Sequence, residues 1–238
     1  VGLCAALVFF QRSLIYFPQQ RAFGSGDTTA KLLVQGAELR ISVRPRLGAK
    51  ALLYFGGNAE DVSDNLPSLS NAFPDYALYL LHYRGYGGSS GNPSEAALTS
   101  DALAVFDKVY AEHSNVVVVG RSLGSCIAIR LASIRPVSRL VLVTPYDSLQ
   151  ELAVQQFPYI PVRWLLLDKF ESWRYAPHVS APTVILAAEF DEVIPRSSTE
   201  LLYSRFATGV ASYKVIAGVG HNSISESAAY LPSVKGIP

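Results

Sequence analysis

Six short apolar runs recur along this chain, spaced widely enough to hold a helix between neighbours, and this rhythm constrains the fold more than any other feature. They span residues 51–55, 77–82, 116–119, 140–143, 183–187 and 213–216. Several are continuously apolar, as expected of parallel strands buried on both faces. Stretches of helical character lie at 61–73, 95–110, 122–133, 198–206 and 222–230, with Pro93-Ser94-Glu95 and Pro195-Arg196-Ser197-Ser198 as helix starts. Ahead of them, runs 32–35 and 38–43 flank a Gly36-Ala37 turn and read as a hairpin. The predicted class is α/β: a mostly parallel twisted sheet with helices on both faces, led by an antiparallel hairpin. Half of the 238 residues are hydrophobic, enough for one sizeable core.

Two intervals depart from the rhythm. Residues 1–13 read as an N-terminal apolar arm ahead of a domain over 14–238, and 145–182 as a short lid or cap segment inside that domain. The lid interval is rich in aromatics and prolines, including Phe157-Pro158-Tyr159-Ile160-Pro161 and Trp164-Leu165-Leu166-Leu167. The arm is wholly apolar over residues 1–10. A membrane-spanning helix needs about 20 such residues, so the arm reads either as the remnant of a membrane anchor or signal segment, or as a segment packed on the domain. The first reading makes the protein membrane-anchored or exported, the second cytoplasmic. The chain contains no methionine and begins at Val1, which reads as a piece of a longer protein.

The net charge is +1, and the Lys and Arg residues are scattered, which argues against a nucleic-acid surface. Two cysteines, Cys4 and Cys126, are too few for a disulfide framework, and Cys126 reads as a small buried thiol in an apolar helix. No His-Glu-x-x-His metal motif occurs, and the expected chemistry calls for neither metal nor cofactor.

That chemistry starts from Gly120-Arg121-Ser122-Leu123-Gly124. A serine hydroxyl is a weak nucleophile and needs a base and a fixed, exposed position, which a tight strand-to-helix turn supplies. The pattern is weak alone, since Gly87-Gly88-Ser89-Ser90-Gly91 matches it too. Context separates the two. Ser122 follows an apolar strand and opens an apolar helix, whereas Ser89 sits in a glycine-rich loop running into Asn92-Pro93. Of the four histidines, His221 lies on a glycine loop just beyond the last strand, while His82, His113 and His178 do not. Asp191, after the penultimate strand, is the expected acid, with Glu192 and Asp147 as rivals. The oxyanion donors are expected to be the main-chain N–H groups of Leu123 and of Asn58 in Gly56-Gly57-Asn58-Ala59. If that loop is an ordinary turn, Glu60 and Asp61 merely complement a helix dipole. All four site positions fall just past the C-terminal ends of predicted strands, the edge where open parallel sheets place their sites. Tyr146, Phe157, Trp164 and Phe190 are the expected pocket residues, each with plain core or lid packing as the alternative.

On these residues the chain resembles the α/β-hydrolase superfamily from about Leu14 onward. More narrowly it resembles the Bem46-like branch, which also contains the ABHD13 and ABHD17 type hydrolases. The stretches that carry the likeness are Gln11-Arg12-Ser13-Leu14-Ile15-Tyr16-Phe17-Pro18, Gly57-Asn58-Ala59, Tyr83-Arg84-Gly85-Tyr86-Gly87, the Ser122 turn, Phe157-Pro158 and Asp191-Glu192-Val193-Ile194-Pro195. The resemblance implies a Ser122, Asp191, His221 triad, an N-terminal membrane segment as in many relatives, and activity on carboxylic esters or thioesters of fatty acids. One departure stands out: Gly56 occupies a position where the resemblance expects histidine, read as shaping the loop. The expected function is a serine esterase or lipase acting on a small-molecule ester or lipid. The alternatives are an acyl-protein or acyl-CoA thioesterase, a lysophospholipase, a peptidase, a perhydrolase, or a catalytically silent binding protein of the same fold.

Overall fold

The computed structural model describes residues 10–21 and 28–236. Eight strands form one sheet: β1 (Thr28–Val34), β2 (Ala37–Arg44), β3 (Lys50–Phe55), β4 (Ala77–His82), β5 (Asn115–Arg121), β6 (Arg139–Val143), β7 (Thr183–Ala188) and β8 (Ala211–Ile216). Their spatial order is β1-β2-β4-β3-β5-β6-β7-β8. The pairs β1/β2 and β2/β4 are antiparallel and the remaining five are parallel. The hairpin is thus wider than 32–35 and 38–43, its register running from Thr28↔Val43 to Val34↔Ala37. Gly36, with φ +78°, takes the left-handed position of the turn.

The continuous apolar runs divide between two cores, because alternate side chains of a strand leave opposite faces. On one face Leu53 and Phe55 of β3 and Val116 and Val118 of β5 pack with α2 (Glu95–Glu112) and α3 (Leu123–Ala132). On the other, Leu52, Tyr54, Val117, Val119, Val141 and Val143 pack with α1 (Leu66–Ala72) and α7 (Tyr230–Lys235). Fully burying a side chain of this size contributes about 1.5–3 kcal/mol, so both faces must be covered. Between β6 and β7 lie α4 (Leu149–Gln156), the one-turn α5 (Val162–Leu165) and two 3-10 turns, and α6 (Arg196–Tyr203) follows β7.

Two predicted helices are corrected. Over 61–73, a 3-10 turn (Val62–Asn65), capped by Asp61 Oδ1 on Ser63 N at 3.0 Å, precedes α1. Over 222–230 there is only a 3-10 turn (Ile224–Glu226), and the helix begins at Tyr230. Serines in this stretch bind the main chain instead: Ser223 Oγ accepts from Gly220 N at 3.0 Å and Ser227 Oγ from Ala229 N at 3.2 Å. Such local bonds offer the backbone an alternative to a helix. Among the described residues no helix is long and apolar enough to cross a membrane. The arm expected at 1–13 lies outside the described residues up to residue 9, as does Cys4. Residues 10–15 are helical.

Candidate active site

Ser122 sits between β5 and α3 at φ +48° and ψ −114°. A non-glycine residue held there costs on the order of 1–3 kcal/mol and persists only where its surroundings enforce it. They do so on both sides. Ser122 N donates to Val143 O at 2.9 Å, and Ser122 O accepts from Ser125 N at 2.9 Å. The flanking glycines let the turn close: a Cβ on Gly120 would stand 2.5 Å from Gly124 O, and one on Gly124 2.1 Å from Phe55 O.

The loops after β7 and β8 bring an acid and an imidazole to this serine. His221 Nε2 lies 3.1 Å from Ser122 Oγ, and His221 Nδ1 lies 3.0 Å from both carboxylate oxygens of Asp191. Both His221 and Asp191 side chains are more than nine-tenths buried. Asp191 is itself fixed, because its Oδ1 accepts from Val193 N at 3.0 Å and Ile194 N at 2.7 Å. The rival acids go elsewhere. Glu192 Oε2 accepts from the main-chain N of His221 at 3.0 Å, a bond that holds its carboxyl below the usual range. Asp147 pairs with Arg205 at 3.4 Å.

The other expected positions separate as well. Ser89 Oγ donates to His82 O and accepts from Arg40 N, each at 2.8 Å, so it pins a loop to the sheet. His113 bridges Gly48 O and the Tyr79 hydroxyl, and His178 is exposed in a 3-10 turn. Cys126 is buried, its thiol pushed up to about 11 by burial. No group of three or more His, Cys, Asp or Glu side chains that could hold a metal lies among the described residues.

Ser122, Leu123 and Asn58 line one cavity of about 560 Å³ whose wall is otherwise mostly apolar. Gly57 N is taken by Glu60 Oε2. The amides of Asn58 and Leu123 donate to no acceptor among the described residues. A Cβ at Gly56 would stand 2.4 Å from Val62 Cγ1, so a side chain there requires Val62 to shift. Tyr146 and Phe157 line the cavity. Trp164 and Phe190 do not. Trp164 is 90% exposed, because Val162 and Leu165 take the cavity side of the single turn α5, and Phe190 is 66% exposed in the turn after β7.

Two features of the site were not legible as such. Glu60 also accepts from Tyr54 Oη at 2.7 Å and stands 3.8 Å from Arg121 Nη1. Arg121 Nη2 in turn donates to the carbonyls of His221 and Asn222, each at 3.3 Å. One ion pair therefore joins the loop of Asn58, the strand end carrying Ser122 and the loop of His221. The second feature is the helical segment around Gln11 and Ile15, which lines the cavity.

A mostly parallel eight-stranded sheet, antiparallel at its first edge, with a serine in a strained strand-to-helix turn and a histidine and an aspartate brought to it from later strand ends, is an α/β-hydrolase architecture. The chain belongs to the alpha/beta hydrolase family, whose model matches residues 55–198. An uncharacterized protein of Mycobacterium tuberculosis is 34% identical over 231 residues, covering 89% of this chain and 80% of that one. Bem46 of Schizosaccharomyces pombe is 27% identical over 72% of this chain. The lysophosphatidylserine lipase ABHD12 of Macaca fascicularis is 34% identical over 64% of it. These two relatives belong to the Bem46/ABHD branch, and the match spans 61% and 44% of their own lengths. An esterase of Pyrococcus furiosus has the same fold, with a TM-score of 0.72 at 16% identity over 93% of this chain and 95% of that structure. Family membership supports a hydrolase.

Proposed function

We propose that the protein is a serine hydrolase of carboxylic esters with an apolar acyl chain. The observation that carries this reading is the hydrogen-bonded line from Asp191 through His221 to Ser122, which opens into an apolar cavity. His221 Nε2 takes the hydroxyl proton as Ser122 Oγ attacks the ester carbonyl, while Nδ1–H donates to Asp191, which stabilises the imidazolium. The oxyanion receives hydrogen bonds from the amides of Leu123 and Asn58, fixed before the reaction begins. His221 then protonates the leaving alcohol, and a water deprotonated by His221 attacks the acyl-serine and releases the acid. A cavity lined by Leu149, Leu152, Ile160 and Leu166 favours an acyl chain, since each methylene withdrawn from water contributes about 0.8 kcal/mol.

Residues 145–182 act as the lid of this cavity, supplying Tyr146, Phe157 and the four aliphatic side chains just named. The lysophospholipid activity in the name of the ABHD12 relative and the esterase with the same fold support an ester or single-chain lipid as substrate. Purified protein is expected to hydrolyse p-nitrophenyl butyrate and octanoate, and Ser122→Ala to lose at least about a thousandfold in kcat. Turnover undiminished in that variant, or faster cleavage of a matched anilide than of the ester, would contradict the proposal.

A further inference from the structure

The stretch Gln11-Arg12-Ser13-Leu14-Ile15-Tyr16-Phe17 belongs neither to the sheet nor to the line of Asp191, His221 and Ser122. Even so, Gln11, Leu14, Ile15 and Phe17 all line the cavity that Ser122 opens into. Its polar groups reach in two directions. Toward the 145–182 segment, Gln11 Nε2 donates to Leu165 O at 3.1 Å and Gln11 Oε1 accepts from Leu167 N at 2.7 Å. Arg12 Nε and Tyr16 Oη both donate to Oδ2 of the buried Asp168, at 3.0 and 3.1 Å. Toward the proposed oxyanion loop, Asn58 Oδ1 accepts from Phe17 N at 3.0 Å and from Tyr86 Oη at 2.8 Å, and Asn58 Nδ2 donates to Ile15 O.

A segment merely resting on a domain would bury apolar side chains and leave its main chain to water. Here the backbone at Ile15 and Phe17 is bound by Asn58, and the charge of Arg12 meets a carboxylate that is itself buried. Leaving the buried Asp168 carboxylate unpaired is costly, which favours the segment in this position. Its side chains at Gln11, Leu14, Ile15 and Phe17 form part of the cavity wall, joined to the lid through Leu165, Leu167 and Asp168. We infer that residues 11–17 are the specificity-determining wall that measures the substrate's acyl chain, latched by Asn58 on one side and by Asp168 on the other. The inference rests on the reading of Ser122 as nucleophile.

Bulk added on this wall removes room for methylenes, and each one excluded loses about 0.8 kcal/mol, roughly a factor of four. The ratio of kcat/KM for p-nitrophenyl octanoate over acetate is therefore expected to fall about a hundredfold in Ile15→Trp, mainly through KM. Asp168→Asn adds no bulk and loosens the latch, and the same ratio is expected to fall about tenfold. The thermal unfolding midpoint checks that each variant is folded. If Ile15→Trp does not fold, Leu14→Trp carries the same test, since Leu14 lines the cavity but is 62% exposed. An unchanged ratio in a folded wall variant overturns the inference. Failure of a small fluorophosphonate to label the native protein overturns the Ser122 reading instead, so the two failures are told apart.

Discussion

Asp191, Glu192 and Asp147 all follow strand ends in the sequence, and their hydrogen bonds separate them into three jobs. Only Asp191 meets the imidazole, and two main-chain amides hold it there. Asp191→Asn keeps the shape but favours the wrong imidazole tautomer, and kcat should fall about ten-thousandfold. Glu192 holds the main chain of His221, so Glu192→Ala is expected to lower kcat about tenfold with KM unchanged. Steady-state kinetics on one ester distinguish the two, and equal losses would contradict the assignment. Gly124 gives a different kind of test. Alanine there would drive a Cβ to 2.1 Å from Phe55 O, backbone that cannot step aside. Gly124→Ala should cost about 3 kcal/mol or more in stability, read as a lower denaturant midpoint.

At the scale of elements, the strands that carry the site were legible because they are continuous apolar runs. The predicted 51–55 and 140–143 become β3 and β6 with one residue added to each. Placing serine, acid and histidine past the ends of β5, β7 and β8 combined those runs with the chain order expected of the architecture. What escaped it depends on contacts distant in sequence. Glu60 looked like a residue complementing a helix dipole, and Arg121 had no reading at all, since their pairing is made only when β3 and β5 lie side by side. The helix predicted at 222–230 failed because serine hydroxyls compete for its backbone groups. Trp164 was misassigned because a single helical turn has too few residues to show which face is inward. The Glu60–Arg121 pair yields a prediction at this scale. Arg121→Gln releases the carbonyls of His221 and Asn222, and kcat should fall about tenfold to a hundredfold while the ester KM holds. A rise in KM alone would argue against a positioning role.

Across the whole molecule, one sheet whose central strands are buried on both faces holds the site at one edge, and a buried histidine away from that site links folding to pH. His82, at the end of β4, is 2% exposed, with Nε2 2.9 Å from Ser42 Oγ and the Gly87 loop packed on its ring. Burial lowers it to about 4 from an ordinary 6.5. The folded state thus keeps His82 neutral while the unfolded chain takes up a proton below pH 6.5. The stability this contributes is present above pH 6.5 and is lost as the pH falls toward 4, amounting to ~3 kcal/mol. Replacing His82 with Asn should flatten the loss of thermal stability over that window, and an unchanged slope would exclude His82 as its source. Covalent labelling tests whether Ser122 is the nucleophile. A fluorophosphonate followed by peptide mapping is expected to modify Ser122 alone, with labelling abolished in Ser122→Ala and strongly slowed in His221→Ala. A label found on Ser89, or one that persists undiminished in Ser122→Ala, would exclude Ser122 as the nucleophile.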